Sequence, residues 1–210
     1  MSMEFAETIT SRERLRELVP VSPHAPVLDK QVAYLNDPAR RFIASCPFLI
    51  LATADARGRM DVSPKGDPPG FVEVLDEHTL IIPDRLGNHR LDSYENILAN
   101  PAVGLIFIIP GHTETLRVSG RGRIILDPEA QARHAVNGKK PVLALAVDVE
   151  EVFMHCSKSF VRGRMWMPGN WPDRTNVPSL AEWVVSTVLH EETVEEVQGW
   201  HDGDARTRMY

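Results

Sequence analysis

The sequence predicts a mainly β, α+β fold: an antiparallel barrel with helices at its periphery. Three observations predict it. Strand-length apolar runs follow one another at short spacing between Pro47 and Phe153. Turn signals such as Asp55-Ala56-Arg57-Gly58 and Pro110-Gly111 separate them. Helical segments occur singly between strands, so the connections read as hairpins rather than as the crossovers of a parallel sheet.

The elements follow in order. Thr10–Leu18 reads as a short helix capped by Thr10 or Ser11, with Leu15, Leu18 and Val19 on its apolar side. Pro20, Pro23 and Pro26 impose an extended connector. Asp37-Pro38 opens a second helix to about Ser45, with Asp at the cap and Pro at the first helical position. Phe48–Thr53 is a continuous apolar run, suited to a strand buried on both faces. Met60–Ser63 returns from its turn. Phe71–Leu75 and Thr79–Pro83 form a hairpin around Asp76-Glu77-His78. Leu91–Leu98 is a helix that Asn100-Pro101 ends. Val103–Ile109 is a buried strand. Glu114–Leu126 is a long alternating strand in which Gly120 and Gly122 mark bends or close approaches. Asp127-Pro128-Glu129 caps a helix to about Val136, and Pro141–Phe153 is the last long strand. Leu180–Leu189 is a helix, and Glu191–Tyr210 reads as a polar, partly mobile tail.

Bulk properties narrow the function classes. The 210 residues suit one domain with trimmings. A 43% hydrophobic and 25% charged composition is that of an ordinary soluble globular protein. The formal net charge of -6 argues against a nucleic-acid partner, which would select a basic surplus. Two cysteines, Cys46 and Cys156, are expected as free thiols in a reducing compartment. No apolar run approaches membrane-spanning length and the first residues lack a signal-peptide core, so no membrane partner and a cytoplasmic location are expected.

The stretch Asp61–Arg90 carries the strongest chemical signal. A cationic loop, Ser63-Pro64-Lys65-Gly66, precedes the Phe71–Pro83 hairpin. A second, Asp84-Arg85-Leu86-Gly87-Asn88-His89-Arg90, follows it. Antiparallel pairing brings the end of one strand beside the start of the other, so both loops can converge on one anion. In a chain of negative net charge, a phosphate must be held by such a local cluster.

Four segments in order resemble the pyridoxamine 5'-phosphate oxidase-like FMN-binding split-barrel superfamily, and within it a bacterial branch of uncharacterised FMN-binding proteins. They are CPFLILATADARGRMDVSPKGDPPGF at 46–71, IIPDRLGNHRLDSYENILANPAVGLIF at 81–107, ETLRVSGRGRI at 114–124 and HCSKSFVRGRMWMPGNW at 155–171. The resemblance implies a homodimer of six-stranded antiparallel split barrels with FMN at the interface. It divides the chain into an N-terminal helical extension and linker (1–37), the FMN-binding barrel (38–171), and a C-terminal helix and tail (172–210).

The resemblance also implies the site. Gly87-Asn88-His89-Arg90 stands where the family binds the FMN phosphate, with Arg90 as main clamp and Asn88 as supporting donor. The arginine fork suits phosphate oxygens, and the following helix N-terminus favours an anion. Val62, Ser63 and Lys65 fall on the strand that meets the flavin edge, Pro83 and Leu91 flank the phosphate loop, and Thr115 falls where a polar residue touches flavin or ribityl. Lys158 and Trp166 are expected over the partner subunit's flavin. No residue stands out as a catalytic acid or base.

Plainer readings stand beside these. Arg90 also fits a solvated first-turn arginine, Asn88 a helix cap, Thr115 an ordinary strand position, and Trp166 and Trp171 interface packing. His155-Cys156 lacks the partners a zinc site needs, so no metal is expected. One departure limits the activity. Oxidases acting on pyridoxamine 5'-phosphate hold its phosphate with a tyrosine, an arginine and a serine on the helix after the long strand. Here Pro128–Val136 holds Arg133 but no tyrosine or serine. The expectation is therefore an FMN-dependent oxidoreductase acting on another small molecule, with NAD(P)H a candidate reductant. A flavin carrier without turnover, a deazaflavin protein, or a haem protein ligated by His155 or His112 are the alternatives.

Overall fold

The computed structural model describes residues 5–210, which form two units, 5–31 and 32–210. The first holds two short helices. In α1, Arg12–Leu18, the Ser11 side chain accepts from the Arg14 amide at 3.1 Å. A second helix, α2, Ala25–Asp29, occupies part of the expected extended connector; Pro26 lies in its first turn, where a missing amide costs nothing. Neither helix buries a residue, so the apolar side expected for α1 stays exposed.

The second unit opens with α3, Asp37–Ala44, which buries Ala39, Phe42 and Ile43. Its cap is Asn36 rather than Asp37, the Asn36 side chain accepting from the Ala39 amide at 3.0 Å. The strands follow: β1 Phe48–Ala54, β2 Met60–Gly66, β3 Glu73–Val74 and β4 Thr79–Pro83. Helix α4, Asp92–Ala99, then leads into β5 Ala102–Ile108 and β6 Thr115–Ile125. Helix α5, Pro128–Arg133, precedes β7 Ala144–His155. Last come α6 Lys158–Arg162, a 3-10 turn at Pro168–Asn170, α7 Leu180–Thr187 and α8 Val194–Thr207.

All pairings are antiparallel, in the order β2-β1-β5-β6-β7-β4-β3. Among the described residues β2 and β3 do not pair, so the sheet is an open, split barrel of seven strands. The seven strands are those that the apolar runs predicted, the two-residue β3 included, against the six that the resemblance implied.

One core fills the inside. Leu49 and Leu51 of β1 meet Leu105 and Phe107 of β5, Leu116 and Val118 of β6, and Leu145 and Val147 of β7. The strand β1 alternates buried and half-buried residues rather than burying both faces, since only one face meets this core. Pro64 fits inside β2 because β2 is an edge strand, where a proline need not donate to a neighbour. Strand β3 is shorter than the expected Phe71–Leu75 because the Phe71 amide turns back to the Pro68 carbonyl at 3.2 Å. A bulge between Ser119 and Gly120 bends β6 against β7. A Cβ at Gly120 would lie 2.1 Å from the Asp148 carbonyl oxygen, so this close approach admits only glycine.

The expected mobile tail is largely ordered. Thr193 and Glu196 form a capping box that starts α8, whose Val197 is buried as α8 packs against α7. Both cysteines are free; Cys46 is buried, and its loss of hydration raises the thiol pKa. No described helix is long and apolar enough to cross a membrane.

Candidate functional site

A cavity of about 580 Å³ opens between β2 and the segment from the end of β4 into α4. Its size falls within the range of small-ligand sites. The two cationic loops do converge there. Val62, Ser63 and Lys65 of β2 line one wall, and Asn88, Arg90 and Leu91 line the other.

Specific bonds hold the walls together. The β3–β4 ladder has two rungs, so it is only part of the cause. Beyond it, Arg85 Nε donates to Asp67 Oδ2 at 2.6 Å, joining the loop after β4 to the loop after β2. Ser93 Oγ donates to Asp61 Oδ2 at 2.8 Å and Asn96 Nδ2 to Thr53 Oγ1 at 3.1 Å, docking α4 on β2 and β1. The Asp84 amide donates to the Leu143 carbonyl at 3.0 Å.

The loop itself is tightly bent. His89 and Leu91 both adopt φ of 58°, an uncommon left-handed conformation for residues with side chains. They bracket Arg90, whose amide donates to Asn88 Oδ1 at 3.1 Å. Leu91 caps α4 without a side-chain acceptor, and the first turn of α4, from Asp92 to Tyr94, lines the cavity wall.

Charges of both signs face the space. Arg90 lies exposed and pairs through Nε with Asp92 Oδ2 at 2.6 Å, a contact that raises its pKa. Asp84 is desolvated at the wall, which raises its carboxyl pKa; the Tyr94 hydroxyl and the nearby Lys65, His89 and Arg85 charges work against that rise. Burial, together with the Asp84 carboxylate, pushes the Tyr94 hydroxyl well above the usual phenol range. Asp84 and Tyr94 were not singled out from sequence. The signal available was a lone carboxylate directly after a buried strand.

Four expected contact residues do not line this cavity, two of them, Lys158 and Trp166, being expected at the partner's flavin. Pro83 is buried at the end of β4, paired with Ala144, one residue short of the cavity wall. Thr115 starts β6 opposite His155 and is buried. Lys158 is exposed at the start of α6. Trp166 stacks on Phe160 at 5.7 Å and donates its indole N–H to the His112 carbonyl at 2.7 Å. The His112 ring meets Phe42 edge-on, and its Nε2 lies 3.4 Å from Glu114. Arg133 pairs with Glu73 through Nε and Nη2, at 2.9 and 3.2 Å. His134 shares the same carboxylate at 3.0 Å, and burial lowers its pKa.

The pyridoxamine 5'-phosphate oxidase family profile matches residues 35–156. No curated protein matches the chain. Among solved structures, a putative pyridoxamine 5'-phosphate oxidase from Lactobacillus delbrueckii is similar at 27% identity, covering 58% of this chain and 95% of that one, with a TM-score of 0.47. HupZ of Group A Streptococcus is similar at 19% identity, covering 57% and 92%, with a TM-score of 0.47. HutZ, the haem storage protein of Vibrio cholerae, is similar at 17% identity, covering 58% and 94%, with a TM-score of 0.40.

Proposed function

The chain belongs to the pyridoxamine 5'-phosphate oxidase family, and from that premise we propose that it binds FMN between β2 and the β4–α4 loop and acts as an FMN-dependent oxidoreductase on a small molecule. The observation that carries the reading is the meeting of Lys65, Asn88, Arg90 and the N-terminal turn of α4 in one cavity. A phosphate dianion selects for this combination of charge-assisted donors. Arg90 is available, because exposed ion pairs such as Arg90–Asp92 are weak and can exchange the carboxylate for a phosphate.

When bound, FMN supplies the one- or two-electron chemistry. The chain's own residues hold and orient it. Exposed Val62 and Leu91 offer an apolar wall for a flat ring. Exposed Met60 and Val62 on edge strand β2, with exposed Leu86 and Leu91 on the facing cavity wall, form an apolar rim that suits a second copy of the chain. The proposed assembly is therefore a homodimer with flavin at its interface, where Lys158 and Trp166 would face the partner's flavin. The proposed substrate is not pyridoxamine 5'-phosphate, since Arg133 is already paired with Glu73 and has no tyrosine or serine beside it. NAD(P)H is the proposed electron donor, and the two free thiols fit a cytoplasmic location.

The test is a fluorescence titration with FMN, joined to mass spectrometry of any ligand released on denaturation. Saturable FMN quenching is expected, with Arg90→Ala weakening it about ten- to a hundredfold. A released deazaflavin or haem, or a wild-type protein indifferent to FMN, would overturn the reading.

A further inference from the structure

The segment after α8 returns beside the cavity and touches the loop after β2 and the loop before α4. The Tyr210 hydroxyl donates to Asp67 Oδ1 at 2.6 Å, while Arg85 Nε occupies the other oxygen, Oδ2. The Arg85 guanidinium carbon also lies 5.6 Å from the centre of the Tyr210 ring. Two residues earlier, Arg208 Nη2 reaches His89 Nε2 at 3.0 Å, and its Nη1 donates to Asp204 at 2.9 Å. Lys139 Nζ donates to the Tyr210 carbonyl at 2.6 Å, fixing the segment from the side of the β7 approach.

These contacts are selective. Asp67 belongs to the loop after β2, and Arg85 and His89 lie at the two ends of the loop before α4. One short segment thus bonds to the loop that follows the β2 wall and to the loop that forms the other wall. The side chain of Asp67 is 2% exposed, so an oxygen left without Tyr210 would lose a partner in a place water hardly reaches. The loop needs outside support, because it holds left-handed residues on both sides of Arg90 and has no ladder of its own.

We infer that Tyr210 and Arg208 are positioning residues, which hold the Asp84–Arg90 loop in its anion-receiving conformation. The inference rests on the phosphate-site reading above and adds a third part to that site. Neither side chain lines the cavity, so both act through Arg85, Asp67 and His89. Their loss is felt by the ligand's phosphate and not by its ring.

The experiment compares wild type, Tyr210→Phe, Tyr210→Ala and Arg208→Ala in two assays. In the first, FMN and riboflavin are titrated in parallel. Tyr210→Ala should weaken FMN about tenfold and leave riboflavin unchanged, with Arg208→Ala and Tyr210→Phe showing smaller losses of the same kind. In the second, hydrogen exchange of the 84–91 amides is followed without ligand. Exchange should speed up in Tyr210→Ala while the core strands keep their protection. Equal weakening of both flavins, or unchanged loop exchange, would overturn the inference. Wild type that ignores FMN, together with faster loop exchange in Tyr210→Ala, would fail the flavin reading and still support the strap.

Discussion

Two arginines five residues apart on one loop are in opposite physical situations. Arg85 is mostly buried, and its partners are a buried carboxylate, a backbone carbonyl and an aromatic ring. Arg90 stands in solvent between two strained residues, with one exposed carboxylate beside it. Their chemistry is the same, so the surroundings decide their roles. An arginine whose donors are committed to buried acceptors maintains the site. One whose partner can be exchanged at small cost is available to a ligand. The two also differ in what their removal leaves behind: a buried charge in one case, a hydrated one in the other.

The largest expected effect follows from that difference. Arg85→Met leaves Asp67 buried without its cation and the His134 carbonyl without its donor. Breaking such a pair typically destabilises by about 3–5 kcal/mol. A urea denaturation series should show the midpoint falling accordingly with its slope unchanged. The same measurement on Arg90→Ala should show almost no change, since surface substitutions usually stay within about 0.5 kcal/mol. Equal losses from the two variants would erase the distinction.

How much of this contrast was legible in the sequence depends on the kind of interaction. Local signals worked where they were strong. The edges of β4 came from a short apolar run closed by Pro83, and the close approach at Gly120 from a glycine inside a strand pattern. The convergence of Lys65 with Asn88 and Arg90 was readable in part, from the hairpin between them, while the side-chain bonds that hold the walls were not. Signals passed over had equally local causes. Thr193-Val194-Glu195-Glu196 spells a capping box, yet the polar composition around it suggested a tail. The roles of Arg85, Asp84 and Tyr210 were not readable. They depend on contacts such as Tyr210 to Asp67, 143 residues apart, and on burial that composition does not report. Arg133 shows the same limit, since its pairing with Glu73 needs α5 to lie beside β3.

A smaller effect probes the histidine that shares the Arg85 network. Burial lowers the His134 pKa more than the Glu73 carboxylate raises it, so the folded state favours the neutral ring. The unfolded chain, with an ordinary histidine pKa of about 6.5, then binds the proton first as pH falls. The stability that His134 contributes is therefore full above that pH and is lost as pH drops below it. His134→Asn should flatten this part of the stability-against-pH curve between about pH 7 and 5, measured by thermal melts. An unchanged slope would mean that His134 does not titrate differently in the folded state.

The smallest effect concerns Asp84, the carboxylate on the same wall as both arginines. Desolvation raises its pKa in spite of Tyr94, Lys65, His89 and Arg85, so its ionised form is held at a cost in the folded protein. The sign follows directly. Ionisation as pH rises is opposed by desolvation in the folded state and not in the unfolded one. At low pH both are protonated and the difference vanishes. Asp84→Asn keeps an acceptor for Tyr94 and removes the charge. It should raise Tm by roughly 2–4 °C at pH 7 to 8 and by nothing measurable below about pH 4. In the proposed phosphate site the same variant removes a like charge from the cavity, so FMN should bind more tightly at neutral pH. A lower Tm with weaker FMN binding would instead make Asp84 the anion that holds Lys65 and His89 in place, and would move it from the Arg90 side of the comparison to the Arg85 side.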